Sequence, residues 1–204
     1  MKKTIPGLLL AIFAFSAHAQ EKNNMLTSQE REKAIELLKQ TESGVFDAIK
    51  GLNEAQLNFK PAADKWSVAE CVKHIAAAEK VLWAMAEPAL TQPANPEKRS
   101  ELTFTDDALV NAVEDRTHKS KTFSALEPAN SSYQTVPEAL AAFKENREKL
   151  IDLVKNTQMD LRDRVLALPV GTYDCYQFIL LIAAHSNRHT QQIKEVMLNQ
   201  NFPK

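Results

Sequence analysis

The sequence predicts an all-α chain: a four-helix bundle of up-down-down-up order, with a long crossover between helices two and three. Three observations carry this. Four segments repeat apolar residues at helical spacings, each opened by a capping residue. Few stretches alternate apolar and polar residues as a half-buried strand would, and the chain has only four glycines. The links after the first and third helices are short, whereas residues 88–134 form one long connection. Short links suit antiparallel neighbours, and the long one returns the chain to its starting end, so helices two and three run parallel.

The first helix is expected from about Thr27 to Lys50. "TSQE" is a capping-box pattern in which Glu30 reaches back to Thr27, and Ile35, Leu38, Val45, Ile49 and Leu52 supply the apolar stripe. The second begins at "KWSVAE", with Ser67 as cap, Glu70 three residues on and Trp66 placed to staple the entrance. It ends before Pro88, because proline disfavours helical geometry in the residue ahead of it. Its stripe carries Cys71, His74, Ala78, Val81, Leu82 and Met85, so His74 points inward.

A short helix near Asp106–Asp115 is expected within the long connection, which would otherwise be an improbably long structureless loop. The third main helix starts at "TVPEALAAF", with Thr135 as cap, Pro137 in the first turn and Glu138 completing the box. Ala139, Phe143, Leu150 and Val154 mark its buried side. Asn146 and Arg147 interrupt that side, and Arg147 is read as snorkelling from the stripe's edge, a minor site candidate. The fourth helix follows "LPVGTYD", capped by Thr172 or Asp174. Phe178, Ile182, His185, His189, Ile193 and Val196 line one face.

Residues 1–19 stand apart from this bundle. Lys2 and Lys3, an apolar stretch through Phe15 and the small-residue ending Ala17-His18-Ala19 have the order of a cleaved signal peptide. The apolar run is about half the ~20 residues that span a bilayer, so no membrane anchor is expected. No cysteine follows the cleavage point, against a lipoprotein. Cleavage leaves residues 20–204 as one domain, periplasmic or secreted. Loss of the two lysines moves the formal charge from −1 to −3, since residues 1–19 contain no acid. A weakly acidic chain without a basic run lacks the footprint of a nucleic-acid binder. Cys71 and Cys175 are not a disulfide framework. They are expected to stay unpaired, because helices that meet at one metal would hold them too far apart.

His185 and His189, four apart in "AAHSNRHTQQI", stack on one helical face and belong to the apolar stripe. Burying three imidazoles without partners costs free energy. The pair can chelate one ion, with His74 as the third ligand. Neutral imidazoles suit zinc, nickel or iron, and three protein ligands leave a coordination position open. "HSNRH" lacks the glutamate of HExxH, so the metalloprotease reading loses its general base. The bland alternative is three hydrogen-bonded core histidines.

"KWSVAECVKHIAAAE", followed about a hundred residues later by "GTYDCYQFILLIAAHSNRHTQQIKEVM", resembles the DinB-like superfamily, which includes the YfiT-like proteins. "LNEAQLNFKPAADKWS" resembles the family's approach to helix two. The resemblance implies an up-down-down-up bundle and a divalent metal held by His74, His185 and His189. It also implies activities ranging over thiol-dependent transferases and isomerases and hydrolases. The thiol-dependent members work in the cytoplasm, and an export leader removes this chain from that thiol pool. His118, in "DRTHKS", is weighed as a fourth ligand and read as a solvated loop residue; Glu70 is read as a cap and Cys71 as a small core residue. No general base is visible. The expected function is an exported divalent-metal-binding protein, a metal-dependent hydrolase or transferase acting on a small molecule. The alternative is a non-catalytic binding protein built on the same bundle.

Overall fold

The computed structural model describes residues 25–119, 121–168 and 171–204. The expected leader, residues 1–19, lies outside the described residues. Thr27 opens α1 (Ser28–Ile49): its hydroxyl accepts from the Glu30 N–H at 3.2 Å, and the Glu30 carboxylate accepts from the Thr27 N–H at 2.8 Å. Such a cap is worth about 1 kcal/mol. The buried stripe of α1 is Ala34, Leu38, Thr41 and Val45; Ile35 and Ile49 lie half-buried at its edge, and Leu52 falls beyond the helix. A short α2 (Glu54–Asn58) follows, closed by a second capping box between Asn53 and Gln56. Apolar spacing did not reveal α2, because five residues are little more than one turn.

Ser67 and Glu70 cap α3 (Val68–Ala86) reciprocally, and the chain tightens into a 3-10 turn at Glu87–Thr91, where Pro88 sits. Met85 departs from the expected stripe and is 36% exposed, because the last turn of α3 rotates it away from the core that Leu82 and Ala86 enter. The crossover carries α4 (Asp106–Glu114), capped by Thr105 and packed on the last helix. Thr135 caps α5 (Val136–Asn156), with Pro137 in its first turn. Here the expected box is not closed: the Glu138 carboxylate accepts instead from the Gln134 N–H at 2.8 Å, one residue further out.

Two short strands, β1 (Val165–Leu168) and β2 (Gly171–Asp174), pair antiparallel with Val165 opposite Asp174. The sequence predicts helices joined by punctuated links, with few stretches of strand-like alternation. "VLAL" lacks the alternation that would have marked a strand, and its burial comes from packing on the bundle end. Asp174, not Thr172, caps α6 (Cys175–Met197) by accepting from the Gln177 N–H at 2.7 Å.

The four long helices run up, down, down and up. Tyr176 at the start of α6 donates to the Glu30 carbonyl at the start of α1, so these two are parallel. Arg31 donates to the Val154 and Thr157 carbonyls at the end of α5, which makes α1 and α5 antiparallel. Lys73 donates to the Gln134 carbonyl at 2.8 Å, bringing the starts of α3 and α5 together. Both α1 and α3 pack broadly on α5 and on α6. The helices joined by short links, α1 with α3 and α5 with α6, therefore lie across the bundle diagonal, while α3 and α5 lie side by side, a correction to the adjacency expected from short links. The core holds two apolar clusters. One includes Leu38, Ala78, Leu82, Leu150 and Ile179; the other includes Val45, Cys71, Ile75, Phe143 and Ile193. Among the described residues, no helix is long and apolar enough to cross a membrane.

Candidate metal centre

The antiparallel packing of α3 on α6 brings His74, on the second turn of α3, against His185 and His189 on α6. The His185 Nε2 lies 3.4 Å from the His74 Nε2 and 3.2 Å from the His189 Nε2. One donor atom from each of the three lies within 4.8 Å of the others, and among the described residues no cysteine or carboxylate joins this group. His74 and His189 are buried, while His185 is half-buried at the rim.

The opposite ring nitrogens show what this arrangement can hold. The His74 Nδ1 lies 2.8 Å from the Leu126 carbonyl, and the His189 Nδ1 lies 3.0 Å from the Gln192 Oε1. Both partners are acceptors, so both Nδ1 atoms carry the proton and both Nε2 atoms present lone pairs. A neutral His185 has one Nε2–H at most and can satisfy only one of them. A lone pair is then left facing nitrogen, unless a cation sits between the rings. Two nitrogens of a tetrahedral zinc, each at 2.0–2.1 Å, stand about 3.3 Å apart, which matches the two spacings from His185, while the donor atoms of all three lie within 4.8 Å. The donor set fits a divalent ion, and the bonds to Leu126 and Gln192 are the outer contacts that orient metal-binding imidazoles.

Burial holds all three rings neutral, as coordination requires. The His185 pKa is pushed down to about 3 by burial, with the nearby His74 and Arg188 adding to it. Burial lowers His74 against the opposing bond to Leu126, and burial with the two neighbouring imidazoles takes His189 well below the ordinary range. Trp66 walls the site, with its ring centroid 4.8 Å from that of His74 and stacked at 5.8 Å on His189. Beyond Gln192, Arg116 donates to the same Oε1 at 3.4 Å and pairs with Glu195 at 2.7 Å. Arg188 ties the crossover to α6 by donating to the Val113, Asp115 and His118 carbonyls.

The other residues weighed from sequence lie elsewhere. The His118 ring is exposed and bonded to Asp115 at 2.8 Å, outside the histidine group. The Glu70 carboxylate is occupied by Lys60 and the Ser67 N–H. Cys71 and Cys175 are buried and free, each thiol pushed up to about 12 by burial. Arg147 does not snorkel: it is fully buried and paired with Glu79. Sequence reading missed Gln192 and Leu126. Gln192 carries a usable signal, three residues after His189 on the same helix; Leu126 acts through its carbonyl, and no side-chain motif marks that.

A cleft of about 710 Å³ opens at the other end of α6, lined by Glu30, Arg99, Asp106, Arg162, Asp174 and Gln177 among others. Arg162 pairs there with Glu30 at 2.7 Å, Asp106 at 2.6 Å and Asp174 at 3.1 Å, which fastens the crossover to the bundle end.

Comparison with known proteins places these features among relatives. The model of the DinB superfamily matches residues 37–193. YuaE of Bacillus subtilis (strain 168), an uncharacterised protein, is 26% identical over 152 residues, covering 74% of this chain and 89% of its own. The structure of YfiT from Bacillus subtilis superposes with a TM-score of 0.59 at 15% identity, over 87% of this chain and 91% of that one. YfiT is described as a probable metal-dependent hydrolase with an unusual four-helix bundle topology. At that identity the likeness is one of fold.

Proposed function

This chain belongs to the DinB superfamily, and on that premise we propose that it is a metal-dependent hydrolase of a small molecule, with His74, His185 and His189 as the ligands of one divalent ion. The observation that carries the reading is the convergence of three Nε2 atoms whose opposite nitrogens are fixed by Leu126 and Gln192. An all-nitrogen donor set is compatible with zinc, nickel or iron. A bound ion would supply Lewis-acid polarisation of a carbonyl or phosphoryl oxygen. The protein's own part is orientation and dehydration: α3 and α6 fix the rings, and Trp66 covers two of them. The description of YfiT as a probable metal-dependent hydrolase favours hydrolysis over transfer. So does the leader-like order of residues 1–19, on which we assign the chain to the periplasm or the exterior, away from cytoplasmic thiols.

A binding role without turnover is the second reading, favoured by a histidine group that no carboxylate joins among the described residues. Elemental analysis of tag-free protein, followed by a screen of ester, amide and phosphoester substrates, separates the two. Hydrolysis lost on chelation, restored by one equivalent of metal and absent from His189→Ala supports the enzyme. Stoichiometric metal without turnover leaves the binding protein. Metal-free wild type that takes up no ion removes the proposal.

A further inference from the structure

Between the two apolar clusters, polar groups from α1, α3, α5 and α6 meet. Arg147 of α5 donates through Nε and Nη2 to both oxygens of Glu79 of α3, at 2.7 and 2.8 Å. Its Nη1 donates to the Leu38 carbonyl and the Thr41 hydroxyl of α1, at 2.7 and 2.6 Å. The remaining Nη2 hydrogen goes to the Ser186 hydroxyl of α6 at 2.7 Å. All five guanidinium hydrogens are used, and Arg147, Glu79 and Ser186 are each at least 98% buried. Along each helix the layer falls between the two apolar clusters: Thr41 between Leu38 and Val45, Arg147 between Phe143 and Leu150, Glu79 beyond Ile75.

From this geometry we propose that Arg147 is a positioning residue for the histidine centre: it locks the axial register of α3 against α6. The inference rests on the metal reading of His74, His185 and His189. Ser186 adjoins His185 in sequence, and Glu79 stands five residues, about 7.5 Å of helix, beyond His74. Among the described residues, the histidines apart, every side-chain hydrogen bond joining α3 to α6 runs through the Arg147 guanidinium. Apolar packing is non-directional and tolerates small slides of one helix on another. Metal–ligand distances tolerate about 0.2 Å. Leu126 and Gln192 orient the rings, and the directional contacts that set the register of α3 against α6 are therefore the bidentate Glu79 pair and the Ser186 bond.

Two variants test this against a purely stabilising role. Ser186→Ala deletes the link to α6 and leaves the Arg147–Glu79 pair. The double variant Glu79→Leu/Arg147→Met removes both charges together, a replacement that buried pairs often tolerate without loss of stability. Each is titrated with Zn²⁺ and with Co²⁺, reading affinity and the visible Co²⁺ spectrum beside the thermal melt. The expected result is a melt close to wild type for the double variant, with affinity about 10–100-fold weaker and an altered Co²⁺ spectrum. Ser186→Ala should weaken affinity in the same direction. Wild-type affinity and spectrum in folded variants would overturn the positioning role while leaving the metal centre intact. If the double variant does not fold, Ser186→Ala decides alone. Wild type that binds neither ion would overturn the metal reading itself, and this inference with it.

Discussion

Acidification should strip metal from this centre far less readily than from three ordinary histidines. Protons compete with the ion for the imidazole nitrogens, so the apo pKa of each ligand sets the loss. An ordinary histidine near pKa 6.5 is about 97% protonated at pH 5, weakening affinity by about 30-fold, and three independent ones weaken it on the order of 10⁴-fold. Here the His185 pKa is about 3. At that value His185 stays largely neutral at pH 5, so its share of the loss is small. His189 is pushed well down by burial and its neighbouring imidazoles, and His74 is lowered by burial. The expected fall between pH 7.5 and 5.0 is under about 30-fold, the share of one ordinary histidine. The assay is Zn²⁺ competition against a chromophoric chelator, corrected for chelator protonation, with far-UV circular dichroism to show that the protein stays folded. A loss near 10⁴-fold in folded protein would refute the burial account. The same shifts act on the metal-free fold. Folded pKa values below the unfolded value let the unfolded chain take up more protons in acid. The stability of the apo protein is therefore fully present above about pH 6.5 and is lost as pH falls toward the depressed values.

Arg147→Met alone leaves the Glu79 carboxylate buried without its partner, so it should destabilise by about 3–5 kcal/mol and lower the melting temperature by roughly 10 °C, read by thermal circular dichroism. An unchanged melt would contradict the buried pairing. Cys71 and Cys175 should both titrate as free thiols in denatured, non-reduced monomer and resist labelling in the native state near pH 7.5, since both are buried with thiols near pKa 12. Absence of free thiols, or rapid native labelling, would count against the core geometry. His118→Ala should leave Zn²⁺ affinity within about twofold, because its exposed ring bonds to Asp115 and lies outside the histidine group. A large loss in calorimetric titration would bring the crossover loop into the centre.

Local rules were enough to read the four long helices from the sequence. Thr27/Glu30 and Ser67/Glu70 satisfy backbone donors three residues away, and Pro88 acts on the residue beside it, so these boundaries were legible without a fold. The spacing of His185 and His189 likewise placed both on one face of α6, and the stripe turned His74 inward. Contacts between segments decided the rest. That His74 meets the pair depends on α3 lying antiparallel on α6 rather than beside α1, a choice made by packing across the whole core. The Leu126 carbonyl reaches His74 from 52 residues away, and a carbonyl has no sequence signature. Arg147 shows the difference most clearly: on a helical stripe an arginine reads as a long side chain reaching for water. It stays buried because Glu79, Thr41, Leu38 and Ser186, from three other helices, together satisfy every hydrogen of its guanidinium. Hydrogen-bond partners that lie 39 to 109 residues apart in the chain are set by tertiary packing, because desolvating a charge is tolerated only once all of them are in place.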